Sequence, residues 1–140
     1  MHTRNPPAIR QALMAALRTL IELVPRLEGD DADAIHRARV ATRRARALLW
    51  LASPAFPTPL DEKPIRRLTQ ALGAIRDEDV LLDLARNYGL EGELGSGVDR
   101  AAAGESLRRE LESGDALEAL ALAAAESSLD SRAQHSLHRR

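Results

Sequence analysis

Apolar residues recur at spacings of three and four along most of the chain, and this period predicts helices. The first spans about 7–27, with Ile9, Leu13, Ala16, Leu17, Leu20, Val24 and Leu27 on one stripe. Pro6 or Pro7 suits its start, and Pro25 stands near its end, where proline kinks or stops a helix. The second spans about 31–52 and is capped by Asp30 or Asp31, with acidic residues in its first turn. It runs into Ser53-Pro54-Ala55-Phe56-Pro57-Thr58-Pro59, a connector that cannot stay helical. The third spans about 61–88, with Asp61 as cap, Pro64 in the first turn and a stop at Tyr88-Gly89. Its stripe is Ile65, Leu68, Leu72 and Ile75. Residues 89–97 read as a glycine-rich loop. The fourth helix spans about 98–127; Gly104 and Gly114 weaken it, and Ser113-Gly114-Asp115 offers a place to split it. Nothing reads as a strand, an internal repeat or a sustained heptad. The predicted fold is all-α, an antiparallel four-helix bundle over residues 1–127, followed by a polar tail at 128–140 expected to be disordered.

Composition narrows this picture. A chain of 140 residues buries a core unaided as one domain. The only aromatics are Trp50, Phe56 and Tyr88, so the core must be built from alanine and leucine, which favours closely packed helices. Cysteine is absent, which excludes disulfides and thiolate metal sites. The apolar stretch nearest the start, Ile9–Leu27, carries Arg10, Arg18 and Glu22, so neither a signal peptide nor a membrane span is expected, and the cytoplasm is the default location. The net charge of −1 hides an asymmetry: residues 1–86 hold 14 basic against 11 acidic side chains, and residues 87–140 hold 6 against 10. Nineteen of the twenty basic residues are arginine; base composition alone can produce that bias, so position matters more than number.

The position that matters is 36–46, His-Arg-Ala-Arg-Val-Ala-Thr-Arg-Arg-Ala-Arg. At ~100° per residue, His36, Arg39, Arg43 and Arg46 fall on one face, with Arg37 and Arg44 beside it. Ala38, Ala41, Ala45, Leu48 and Leu49 fall opposite. The helix thus buries small residues and presents a ladder of guanidinium groups, each permanently charged and forked to suit phosphate oxygens. Such a ladder suits an extended polyanion better than one small substrate. On the third helix Arg76, Asp79 and Asp83 continue the apolar stripe, where charges need partners. Either the two aspartates pair with Arg76 or second-helix arginines and aim them at phosphate, or all belong to an interhelical salt-bridge network. Trp50 lies near the basic face. Packing in the core or at the helix end is expected of it, and a cation–π cover over a neighbouring arginine is the alternative.

Two segments together resemble one family. His36-x-x-Arg39-Val40-x-x-Arg43-Arg44-x-Arg46 and, about 30 residues on, Leu72-Gly73-Ala74-Ile75-Arg76-Asp77-Glu78-Asp79-Val80-Leu81 resemble the CHAD family, named for a histidine in an α-helical domain. The resemblance spans roughly residues 9–127. It implies an all-α domain that binds inorganic polyphosphate, or another polyanion, through a basic surface or channel. By motif match His36, Arg39, Arg43, Arg44, Arg46 and Arg76 carry over as polyphosphate ligands, and Asp77 and Asp79 as organisers of the site. It further implies a location at polyphosphate granules. Members usually hold two similar helical halves, each supplying one basic wall, and this chain resembles the N-terminal half. His135 and His138 have no supporting apolar pattern and make no second wall. Three explanations stand side by side: a piece of a longer chain, a naturally short member, or a protomer that restores both walls as a homodimer.

No catalytic or metal-ligating set is legible, and no cofactor is expected. His36 has no nucleophile or carboxylate pair beside it in a recognisable pattern, the glycines of 89–97 match no phosphate-binding fingerprint, and no His/Asp/Glu cluster has ligand spacing. A non-catalytic binding module is therefore expected. Two rivals remain. One is an accessory domain to a triphosphatase; Glu91-Gly92-Glu93 lacks the third glutamate and the strand such an enzyme needs. The other is an adaptor whose arginine face docks an acidic protein or nucleic acid.

Overall fold

The computed structural model describes residues 6–29, 31–56, 60–90, 92 and 98–138. Among them it holds five α-helices and no strand: α1 (Pro6–Glu28), α2 (Ala32–Ala52), α3 (Lys63–Tyr88), α4 (Val98–Ser113) and α5 (Asp115–His138), with a short 3-10 turn, Ser53–Ala55, closing α2. The all-α class is as the sequence predicts. The helix count is five rather than four because the fourth predicted helix divides. Gly114 takes a left-handed φ of 69°, ends α4 with its N–H on the Leu111 carbonyl at 3.2 Å, and lets α5 begin at once. An added Cβ at Gly114 would meet no atom within 4 Å, so the backbone conformation alone selects glycine. α5 stays helical through His138, beyond the point where the apolar pattern fades.

Local signals fix the other ends. α1 runs through Pro25 to Glu28. At the start of α2 the cap is Asp31, whose carboxylate accepts the backbone N–H groups of Asp33 at 2.9 Å and Ala34 at 3.2 Å; Asp30 lies outside the described residues. Arg26 reaches across the turn and donates to both Asp31 (2.9 Å) and Asp33 (3.0 Å), clamping the α1–α2 hairpin. α3 begins two residues later than predicted; Asp61 accepts the Lys63 N–H at 3.0 Å just ahead of it, and Pro64 sits in the first turn. It stops at Gly89, left-handed at φ 69°, with the Leu90 N–H returning to the Ala85 carbonyl at 2.8 Å. The loop expected at 89–97 falls mostly outside the described residues.

The predicted stripes are the core. Leu13, Leu20 and Leu27 of α1 and Ile65, Leu68, Leu72 and Ile75 of α3 are buried, joined by Leu107 of α4 and Leu120 of α5. α2 contributes almost only small residues, Ala34, Ala38, Ala41 and Ala45, with Ile35 and Leu49. Thr42 is the one buried polar side chain among the described residues, and its hydroxyl donates to the Arg39 carbonyl at 3.0 Å. α1 packs chiefly against α2 and α5, while α3 packs against α2, α4 and α5. Contacts Asp79–Arg100 and Arg67–Glu110 run in opposite order along α3 and α4, so these two helices are antiparallel. Among the described residues no helix is long and apolar enough to cross a membrane.

Candidate anion-binding surface

Burial of the alanine face turns the rest of α2 outward. His36, Arg37, Arg43, Arg44 and Arg46 are exposed and Arg39 is half-buried. None of these side chains makes an ion pair or hydrogen bond to another described residue. Four arginines elsewhere are committed. Arg26 holds Asp31 and Asp33, Arg67 bridges Glu110 (3.5 Å) and Asp115 (3.4 Å), Arg100 holds Asp79 and Arg108 holds Glu105. Arg10 and Arg18 of α1 and Arg66, Arg76 and Arg86 of α3 also lack a carboxylate partner among the described residues, but α2 alone gathers five such arginines within ten positions, 37–46.

The ladder divides into two rows. A groove of about 440 Å³ runs between α1 and α2; Ala12, Ala15 and Ala16 floor it, and His36, Arg37 and Arg44 form its α2 wall with Val40 and Leu48. Arg39, Arg43 and Arg46 do not line that groove. At ~100° per residue Arg39 and Arg46 lie on the flank of α2 away from Arg37 and Arg44. Because α2 packs chiefly between α1 and α3, that flank is the α3 side. Arg76 of α3 is exposed, and among the described residues it has no ion-pair partner. Spacing on the α2 wheel shows which residues share a face, but the flank that α1 covers is set by the hairpin. Arg37 therefore becomes a groove residue only in the folded chain.

Of the two expected organisers, Asp77 is exposed and takes part in no ion pair with a described residue. Asp79 is half-buried and accepts from Arg100 Nε at 2.8 Å. Its partner is thus an α4 residue, not Arg76 or an arginine of α2, and Asp83 is exposed. The apolar stripe of α3 ends at Ile75, so the charges beyond it are less buried than the wheel implies. Trp50 departs furthest from expectation. It is 73% exposed rather than packed in the core or at the helix end, and it stands on the Arg39–Arg46 flank.

The charge state of the hairpin clamp follows from its contacts. The Arg26 guanidinium, then the Ala34 amide, hold the Asp31 carboxyl below the usual aspartate range, and the same contact with Asp31 raises Arg26. This clamp ties the turn between α1 and α2, the two helices that form the groove. A second hollow, about 360 Å³ between the start of α3 and α5, is lined by Asp61, Arg67, Asp115, Glu118 and Leu122. Its arginine is already engaged by two carboxylates, which makes it an interhelical ion-pair network.

The family model of the CHAD domain matches residues 11–140. The chain belongs to the CHAD domain family. The match covers nearly the whole chain and extends past residue 127, where the sequence resemblance ends, to take in the last part of α5. No curated protein and no solved structure matches the chain. Both motifs of this CHAD domain lie where the sequence places them, the histidine–arginine segment on α2 and the Leu72–Leu81 segment on α3, helices that pack against each other.

Proposed function

We propose that this CHAD domain binds inorganic polyphosphate, without catalysis of its own, through the arginine-rich face of α2. The observation that carries the reading is the concentration of unpaired arginines on α2. Five guanidinium groups and His36 sit on one helix with no carboxylate committed to them among the described residues, while Arg26, Arg67, Arg100 and Arg108 are paired. A flexible anion with charge at every unit needs spaced cations and no sequence readout. Neutralising it releases counterions, so affinity falls with salt; by analogy with single-stranded nucleic acid, four or five engaged arginines give a log–log slope of about −3 to −3.5.

In this reading Arg39, Arg43, Arg44 and Arg46 clamp phosphates, and His36 and Arg76 extend the site. A second copy of the chain would supply an opposing wall. Val80, Leu84 and Tyr88, exposed at successive turns of α3 beyond Arg76, offer it an apolar stripe to pack on. The setting is the cytoplasm, at polyphosphate granules. Titration of long-chain polyphosphate at two salt concentrations tests the site: binding is micromolar or tighter at low salt and lost on Arg39→Ala plus Arg43→Ala. Undiminished binding by that double variant would sink the assignment. Phosphate release from tripolyphosphate with a divalent metal would replace the binding role with an enzymatic one. DNA or RNA binding of equal strength would favour the adaptor role. The mass in solution, with and without polyphosphate, decides whether a second copy takes part.

A further inference from the structure

Trp50 is the only tryptophan of the chain and is 73% exposed. Single exposed apolar residues are ordinary, but the placement of this one is not. At ~100° per residue Arg39, Arg43, Arg46 and Trp50 fall within about 60° of one another. At 1.5 Å per residue the indole-bearing position lies about 6 Å beyond Arg46 and about 10 Å beyond Arg43 along the axis. The arginine row on this flank therefore ends in an open aromatic face.

We propose that Trp50 is a stacking platform, and that the row also takes a single planar base carrying a run of phosphates, a nucleoside polyphosphate, in preference to a bare phosphate chain of the same length. The proposal rests on the anion-binding reading of α2 and adds a second class of ligand to it. Three features favour it. A bare phosphate chain gains nothing from an indole, whereas a base stacks on one whatever its identity. Aromatic platforms for single-stranded nucleic acid come in series, but this face has one, followed by the cap of Ser53 on the Trp50 carbonyl at 2.9 Å and the Ser53–Ala55 turn; one platform beside several cations matches one base beside several phosphates. Helix polarity orders the ligand: the C-terminal end of α2 carries negative dipole charge and no cation follows Trp50 before Lys63. The neutral base accordingly lies at Trp50, and the phosphates run back toward Arg46, Arg43 and Arg39.

The test uses the emission of Trp50 in the full chain, with ATP and tripolyphosphate compared at low salt without divalent metal. The two ligands have equal phosphate counts, and charge alone favours tripolyphosphate. ATP is expected to quench Trp50 and to bind about 5- to 150-fold tighter, the range that one stacked base supplies. By calorimetry Trp50→Leu loses that preference and keeps its tripolyphosphate affinity, and Trp50→Phe restores part of the preference. Equal or tighter binding of tripolyphosphate, still dependent on Arg39 and Arg43, would overturn the stacking site and leave the anion-binding surface standing. Absence of binding by ATP, tripolyphosphate and long-chain polyphosphate would overturn both. A blue shift of the emission with protein concentration alone would show that another copy covers the indole, and tighter binding of a single-stranded oligonucleotide than of ATP would assign the face to nucleic acid; either result overturns the proposal.

Discussion

Arg43→Ala should stabilise the free protein and weaken the bound one. Arg43 is exposed, stands four residues after Arg39 and three before Arg46, and among the described residues it has no carboxylate partner. Like charges at these helical spacings destabilise by about 0.2–0.5 kcal/mol each, so removing Arg43 relieves about 0.4–1 kcal/mol at low salt. Alanine's better helix propensity adds at most a few tenths. For a chain of this size that raises Tm by about 1–4 °C. The assay is far-UV circular dichroism melting of wild type and variant at low salt, in about 1 M salt, and with polyphosphate. In 1 M salt, where screening acts over about 3 Å, the gain shrinks to the propensity difference. With polyphosphate the order reverses, because ligand stabilises the wild type through mass action more than the variant. A variant that melts below wild type without any anion would refute the reasoning, since Arg43 would then be holding a native contact. A variant still ahead of wild type with saturating polyphosphate would place the site elsewhere.

Other substitutions probe the scaffold. Asp31→Asn keeps a capping oxygen but loses the charge that Arg26 holds; because the folded state favours the Asp31 carboxylate, its contribution is full above the ordinary aspartate range and is lost as pH falls from about 4 downward. Wild type should therefore lose stability more steeply than Asp31→Asn in acid melts below pH ~4, and parallel curves would discount the clamp. Asp79→Ala should cost about 1 kcal/mol in urea unfolding by freeing the half-buried Arg100 contact, without changing the salt slope of polyphosphate binding; a changed slope would restore Asp79 to the site. Gly114→Ala should cost about 1–2 kcal/mol, since only the left-handed backbone disfavours a side chain there, and an unchanged Tm would mean that α4 and α5 join without it.

Much of this was legible because the signals were local. The 3–4 spacing of Leu13, Leu17 and Leu20, and of Ile65, Leu68 and Leu72, reflects a buried face directly, and each of these residues is buried. Asp31 and Gly89 act on backbone groups within a few residues of themselves, so their types announce the ends they make. What escaped was relational. A wheel gives a residue's angle about its own helix but not the neighbour that occupies that angle. Asp79 could be placed beyond the stripe, yet its partner Arg100 lies on a helix whose approach no local pattern encodes. Trp50 was expected to pack in the core or at the helix end, and its exposure follows from its angle on α2, on the arginine flank and away from the face that buries Ala38, Ala45 and Leu49. The fourth predicted helix divided because Gly114 adopts a positive φ instead of merely lowering helix propensity.

The alanine seat of α2 has a consequence for how tightly a chain-like ligand can be held. Alanine gives up no side-chain freedom on burial, and it lets neighbouring backbones come close, so Ala34, Ala38, Ala41 and Ala45 fix the axis of α2 without depending on rotamers of their own. The Cα positions of Arg39, Arg43 and Arg46 are then fixed marks about 6 and 4.5 Å apart along that axis. Only the arms still move, and each can give up as much as about 2 kcal/mol of rotamer entropy when it is immobilised. The helix thus works as a ruler with flexible teeth: a ligand long enough to engage every tooth repeats a favourable step, and a shorter one must immobilise its first arm with nothing further along to share the cost.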